Sequence, residues 1–272
     1  MSAPNTISAD KLNKLVGTLT APIIIDVRTA DDFNSNPNFL PASSRRSHED
    51  VAHWATGFSG KTVVVVCKRG GKLAHGAAAW LRHVGADAAV LEDGFEGWQA
   101  AGLPLIPEAK LPKRDTLGRT VWVTRSRPKV DRIACPWLIR RFVDPEAVFL
   151  FVAASEVKAV AERFGAEPFD IEDVFWSHRD ETCTFDTMLE ELNLKTQPLL
   201  QLATIVRGAD TARMDLAPEA SGLLAASLGL SRMFSDDLEQ LSAGMLLYDA
   251  FYRWCRDAID ETHNWPTSKV KS

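Results

Sequence analysis

The stretch Val63-Val64-Val65-Val66-Cys67-Lys68-Arg69-Gly70-Gly71-Lys72 decides how the first half of the chain is read. Four consecutive valines favour a strand, and their uniformly apolar character suits a strand covered on both faces. A thiol closes the run. A basic, glycine-containing loop follows, and then an alanine-rich helical stretch from Ala74 to Val84. Strand, thiol, loop and helix in that order aim backbone N–H groups and a helix N-terminus at the sulfur, which is how a fold favours a thiolate. Inert burial of a small strand-end cysteine is the competing reading.

Outward from this point the pattern repeats. Ile23-Ile24-Ile25 and Ala88-Ala89-Val90-Leu91 read as further strands. Helical stretches are expected over 9–16, 51–56 and 95–101. Strands alternating with helices imply right-handed crossovers and a mostly parallel sheet. Pro104, Pro107 and Pro112 then punctuate the chain. Beyond them Val121 to Thr124 and Ala147 to Val152 read as strands, with a helix between that carries Pro136 near its start. From Thr184 onward the pattern is helical; its last stretch, 236–259, carries an apolar stripe of Leu238, Leu241, Met245, Tyr248, Tyr252 and Cys255. The expected division is a first domain over 1–112, a linker over 113–119 and a second domain over 120–272.

The 272 residues, 46% hydrophobic and 25% charged, fit a soluble protein of two domains. A net charge of −5 argues against a protein built globally for nucleic acid. The leading segment MSAPNTISAD lacks a basic-then-apolar signal pattern, and no apolar run is long enough to span a bilayer. A cytoplasmic protein without a membrane partner is expected. Cysteines 67, 135, 183 and 255 lie far apart and form neither a disulfide framework nor a CxxC pair. Between Lys113 and Arg141 stand nine lysines or arginines against Asp115 and Asp131. Such an excess could meet an oxyanion, a nucleic acid or the protein's own carboxylates, or simply form a solvated face. The tryptophans fall mostly in helical patterns and are expected in packing.

The first half resembles a rhodanese domain. The family's Cys-x-x-Gly-x-Arg loop corresponds to Cys67-Lys68-Arg69-Gly70-Gly71-Lys72, with lysine in the last place. Asp26-Val27-Arg28 matches the motif after the first strand, and Phe39-Leu40-Pro41-Ala42-Ser43 echoes the family's His-Ile-Pro-Gly-Ala. Leu91-Glu92-Asp93-Gly94-Phe95-Glu96-Gly97-Trp98, then Gly102-Leu103-Pro104, matches its terminal signature. The resemblance implies an α/β rhodanese-like fold, a parallel sheet flanked by helices. It implies a thiosulfate-type sulfurtransferase in which Cys67 is the catalytic nucleophile and carries a persulfide. Its partners would be a small anionic sulfur donor and a thiol or other nucleophilic acceptor, and sulfur transfer requires no cofactor. Lys68, Arg69, Gly70, Gly71 and Lys72 would bind the donor, with Asp26 and Arg28 in support. Lysine at 72 keeps the charge but lacks the planar fork of arginine. A cysteine phosphatase would need arginine six places after the cysteine, where Leu73 stands.

The second half is similar to the C-terminal domain of the chromate resistance protein B family. The matching segments are Trp122 to Arg125, Lys129 to Phe142, Ser177-His178-Arg179, Cys183 to Asp186 and Val206 to Asp210. The resemblance implies a role in chromate resistance, with chromate itself a candidate ligand. An α+β, mostly helical domain is expected. Asp131, Cys135, His178, Glu181, Cys183, Asp186 and Asp210 are its chemically capable side chains. His178, Glu181 and Cys183 lie close together, and with Cys135 they offer donors for a divalent, zinc-like metal; core packing of the thiols is the alternative. Cys135 before Pro136 could also stand at a helix N-cap, where a thiolate is favoured. Two function classes follow: a sulfurtransferase serving chromate or oxyanion resistance, and a non-catalytic oxyanion- or metal-sensing regulator.

Overall fold

The computed structural model describes residues 5–261. Residues 1–4 and 262–272, the outer ends of the two expected domains and part of the leading segment, lie outside them.

In the first half the strands are β1 (Thr6–Ile7), β2 (Ile23–Asp26), β3 (Asn38–Phe39), β4 (Ser43–Arg45), β5 (Thr62–Val66), β6 (Asp87–Leu91) and β7 (Ile106–Pro107). Five form a sheet in the order β1-β6-β5-β2-β4, with every neighbouring pair parallel. The helices are α1 (Ala9–Leu15), α2 (Ala30–Asn34), α3 (Val51–Trp54), α4 (Lys72–His83) and α5 (Gly94–Ala100). The central strands are those read from the sequence. The edges β1 and β4 are too short to leave a period, and β3 with β7 adds a small antiparallel pair.

The valine run explains how the sheet is covered. Successive side chains point to opposite faces. Val63 and Val65 join Ile25, Cys67, Ala74, Ala78 and Leu81 beneath α4. Val64 and Val66 face the other way, into a core with Leu12, Phe33 and Trp98. That second core does not stop at the first half. It continues without a break through Trp137, Phe142, Phe185 and Tyr252. The Ala42 N–H donates to the Phe142 carbonyl, and the Phe142 ring sits where a Cβ on Gly17 would stand, with Cζ 2.3 Å from that point.

The second half opens with three parallel strands in the order β10-β8-β9: β8 (Val121–Arg125), β9 (Val148–Val152) and β10 (Glu167–Pro168). The helices α6 (Asp131–Leu138), α7 (Val157–Phe164), α8 (Thr184–Glu191), α9 (Gln197–Asp210), α10 (Glu219–Met233) and α11 (Asp237–Arg253) make up most of the rest. Trp137 is wholly buried at their centre; its Nε1 donates to Asp249 Oδ1 at 2.8 Å, and Arg141 grips the same carboxylate. Pro136 lies in the interior of α6, not near its start, because the helix begins at Asp131. The basic stretch 113–141 is largely spent internally: Arg114, Arg119, Arg127, Arg132 and Arg141 pair with Asp144, Asp115, Asp237, Asp170 and Asp249. Most tryptophans pack as expected, but Trp80 is 45% exposed. No helix among the described residues is long and apolar enough to cross a membrane.

Candidate functional site

Cys67 follows the last residue of β5 and precedes the loop into α4. The Gly71 N–H donates to its sulfur at 3.2 Å. Gly71 is the N-cap of the twelve-residue α4, so the sulfur faces the positive end of that helix. The loop is held from behind by α5. The N–H groups of Phe95 and Glu96 donate to the carbonyls of Cys67 and Lys68, at 2.9 and 3.0 Å. Gly94, at φ +57°, makes that approach possible: a Cβ there would fall 2.2 Å from the Cys67 carbonyl oxygen and 2.5 Å from the Gly70 nitrogen. The terminal signature of the first half thus has a local purpose, which is to seat the cysteine loop.

The cationic side chains of the loop are not equivalent. Lys68 Nζ pairs with Asp32 at 3.0 Å, and that hydrogen bond holds the Asp32 carboxyl below its usual range. Arg69 pairs with Glu96 at 2.7 Å. Lys72, the first residue of α4, is exposed, and no carboxylate among the described residues pairs with it. Asp26 and Arg28 are buried and joined by a forked ion pair, with Arg28 Nε and Nη2 at 2.8 and 2.6 Å from Asp26 Oδ2. Arg28 also donates to the carbonyls of Asn36 and Asn38, and its guanidinium lies 3.8 Å from the Phe95 ring centroid. This pair ties β2, the following loop and α5 together beneath Cys67.

The second half assembles a different constellation. His178 Nε2 lies 3.2 Å from Asp210 Oδ2, 3.3 Å from Asp170 Oδ1 and 3.5 Å from Asp131 Oδ2. Asp131 is fully buried and accepts the N–H groups of Thr184 and Phe185 at the start of α8, at 2.6 and 3.2 Å. Asp170 Oδ1 accepts the Thr184 hydroxyl at 2.9 Å. Burial pushes the Asp131 carboxyl up to about 7, and hydrogen bonds to Asp131, Asp170 and Asp210 raise His178 to about 12. The neighbouring carboxylates Asp210 and Asp170 add to the rise at Asp131, behind burial. The backbone entering Asp131 is strained: Val130 has φ +32°, costly for a β-branched residue. The Ser227 hydroxyl and the Tyr248 OH hold it there, at 3.0 and 2.8 Å from its N–H and carbonyl.

The donor set expected from the sequence is not the set the fold brings together. Of the four, His178 lies among the carboxylates and Cys135 stands at their edge, its Sγ 4.0 Å from Asp131 Oδ1. Glu181 is exposed on the turn. Cys183 is the N-cap of α8, and its sulfur lies 3.3 Å from Asp186 Oδ2. Cys135 is not at an N-cap. It is an interior residue of α6, wholly buried, and burial pushes its thiol well up, so no helix terminus favours its thiolate. Asp131 and Asp210 stood among the capable side chains, whereas Asp170 was missed. The acidic run Asp170, Glu172, Asp173 shortly before His178 was its only sequence signal.

Comparison with known families fits this two-part architecture. A pattern described as the rhodanese-like domain matches residues 8–101, and one described as the ChrB C-terminal domain matches residues 122–255. The chain is a rhodanese-like domain followed by a ChrB C-terminal domain. Protein ChrB of Cupriavidus metallidurans is 32% identical over 146 residues, 52% of this chain and 43% of that protein. The match therefore spans less than half of the relative's length. Solved structures similar to the rhodanese-like domain include a rhodanese-related protein from Thermoplasma volcanium, at 20% identity and a TM-score of 0.34, covering 38% of this chain and 99% of the other. A thiosulfate sulfurtransferase from Pseudomonas aeruginosa is 21% identical, with a TM-score of 0.32, over 39% of this chain and 21% of the other.

Proposed function

We propose that the rhodanese-like domain is a sulfurtransferase that carries a persulfide on Cys67 and serves chromate or oxyanion resistance. The observation that carries this reading is the Gly71 N–H donated to Cys67 Sγ at 3.2 Å at the head of α4. The sulfur so placed meets an N–H donor at the head of a helix, and it is the atom that must become nucleophilic.

In the first step the Cys67 thiolate attacks the outer sulfur of an anionic donor such as thiosulfate. A new S–S bond forms, the donor's S–S bond breaks, and sulfite leaves with the electron pair. In the second step a thiolate or cyanide attacks the outer sulfur of the persulfide, and the Cys67 thiolate returns. No metal enters either step. Lys72 is the cation available to the donor's oxyanion, while Lys68 and Arg69 must first release Asp32 and Glu96. The chromate association follows from the ChrB C-terminal domain and its relative.

Mass spectrometry after incubation with thiosulfate should reveal a one-sulfur adduct that Cys67→Ser abolishes. Absence of the adduct with every common sulfane donor would sink the proposal. Oxyanion binding at the Cys67 loop without turnover would assign the domain a sensing role instead.

A further inference from the structure

We propose that Asp131, Asp170 and His178 bind one divalent metal ion of intermediate hardness, of the manganese(II) or iron(II) class, with the Asp210 carboxylate beside His178 at the rim of the site. The site stands apart from the Cys67 chemistry and does not depend on it.

Three separate elements deliver the donors, the first residue of α6, the segment after β10 and the segment before α8, and the last residue of α9 brings Asp210 to His178. Donor atoms of Asp131, Asp170 and His178 all lie within 4.8 Å of one another. The three carboxylates stand 3.2, 3.3 and 3.5 Å from one ring nitrogen. One N–H points at one acceptor, so hydrogen bonding accounts for one of the three. The separations are also long for charge-assisted N–H···O bonds, which run about 2.7–2.9 Å. They suit the edges of a coordination sphere. With metal–ligand bonds of about 2.1 Å, neighbouring ligand atoms lie roughly 3.0 Å apart in an octahedron and roughly 3.4 Å apart in a tetrahedron.

The carboxylates are oriented in the way ligating carboxylates are, by groups outside the sphere. The α8 amides hold Asp131, the Thr184 hydroxyl holds Asp170 Oδ1, and the Arg132 guanidinium lies 3.2 Å from Asp170 Oδ2. A second observation comes from β8. Thr124 is wholly buried, and its hydroxyl has no hydrogen-bond partner among the described residues. Strand alternation puts Thr124 on the same face as Trp122, whose ring packs on Phe169, the neighbour of Asp170. A buried hydroxyl of this kind needs a partner that the described side chains do not supply. An entry path exists as well: a cavity of about 590 Å³ is lined by Asp170, His178, Ser177, Arg125 and Lys158. Glu172 and Asp173 line it too, and Lys158 pairs with Asp173 at 3.8 Å.

The donor chemistry selects the ion. Carboxylates and one imidazole suit manganese(II) or iron(II) better than a thiolate-rich zinc site, and the Cys135 sulfur stands outside that set, 4.0 Å from Asp131 Oδ1. The zinc-like set with Cys135 and Cys183 is replaced by an oxygen-rich one.

The test uses the full chain, stripped with a chelator and titrated with manganese(II), with free ion read by electron paramagnetic resonance. One ion per chain should bind. His178→Gln and Asp210→Asn should each weaken binding by at least the roughly 10–100-fold seen when an outer-shell partner is lost. Glu181→Gln and Cys67→Ser should bind as the parent does. Circular dichroism and thermal melting confirm that each variant is folded; His178 is 42% exposed in its side chain, so its variant has little packing to lose. Two results would overturn the proposal: a folded parent chain that binds neither manganese(II) nor iron(II) saturably, or parent-like affinity in both His178→Gln and Asp210→Asn.

Discussion

Gly94→Ala tests the seating of the cysteine loop most sharply. The new Cβ would lie 2.2 Å from the Cys67 carbonyl oxygen, 2.5 Å from the Gly70 nitrogen and 2.9 Å from the Arg69 nitrogen. All three are backbone atoms, so no side chain can rotate away. Ordinary contact begins near 3.4 Å, so the loop and α5 must separate by roughly 1 Å. The φ of +57° adds about 1–2 kcal/mol for any residue with a Cβ. Overpacking of this kind adds about 1–3 kcal/mol. The sum, about 2–5 kcal/mol, is a large part of the roughly 5–15 kcal/mol that holds a typical domain. At roughly 2–4 °C per kcal/mol the melting temperature should fall by about 4–20 °C. The hydrogen bonds from Phe95 and Glu96 to the loop would lengthen, and a displacement near 1 Å at a reacting atom can cost about 100-fold in rate. The assay is a time course of the one-sulfur adduct by mass spectrometry, alongside a thermal scan. Gly102→Ala is the control: φ is +66° there, but nothing lies within 4 Å of the new Cβ, so it carries backbone strain without the collision. A Gly94→Ala protein with parent-like melting and adduct formation would refute the argument that this glycine seats the loop.

Asp26→Asn leaves the buried Arg28 guanidinium without its carboxylate and should destabilise the chain by about 3–5 kcal/mol, measured by urea unfolding; a loss under about 1 kcal/mol would mean the pair is not the strut described. Iodoacetamide at pH 8 should label Cys67 before the other thiols of the native protein. Cys135 and Cys183 are wholly buried, Cys67 and Cys255 are each 5% exposed, and burial raises Cys255 to about 11. Peptide mapping that finds Cys255 labelled first would contradict this. Lys72→Gln should raise the KM for thiosulfate about 2–5-fold with kcat little changed, the scale of one exposed ionic contact. A larger effect from Lys68→Gln would transfer the donor-binding role to Lys68.

The two candidate sites differ in how much of them the sequence carried. The Cys67 loop was legible because it is nearly contiguous: strand, thiol, turn and helix follow one another, and local geometry alone brings the Gly71 N–H to the sulfur. What Gly94 does there was not legible, because its reason is a close approach to a loop more than twenty residues earlier. The second site was misread for the same reason, taken further. Nearness in sequence favoured His178, Glu181 and Cys183. The fold instead turns Glu181 outward, engages Cys183 at the cap of α8, and brings Asp131, Asp170 and Asp210 to His178 from three other elements. Likewise, the proline-punctuated segment read as a linker between separate domains, yet one apolar core runs from Leu12 and Val64 to Tyr252.

Apolar periodicity and turn chemistry act between near neighbours, so the parallel sheet, the helical second half and the cysteine at the strand end are readable from the residues alone. Which carboxylates surround His178, which loop cations are already paired, and that the two halves share a core emerge only once the chain is folded. Those outcomes depend on contacts between residues distant in the chain, and no local propensity encodes them.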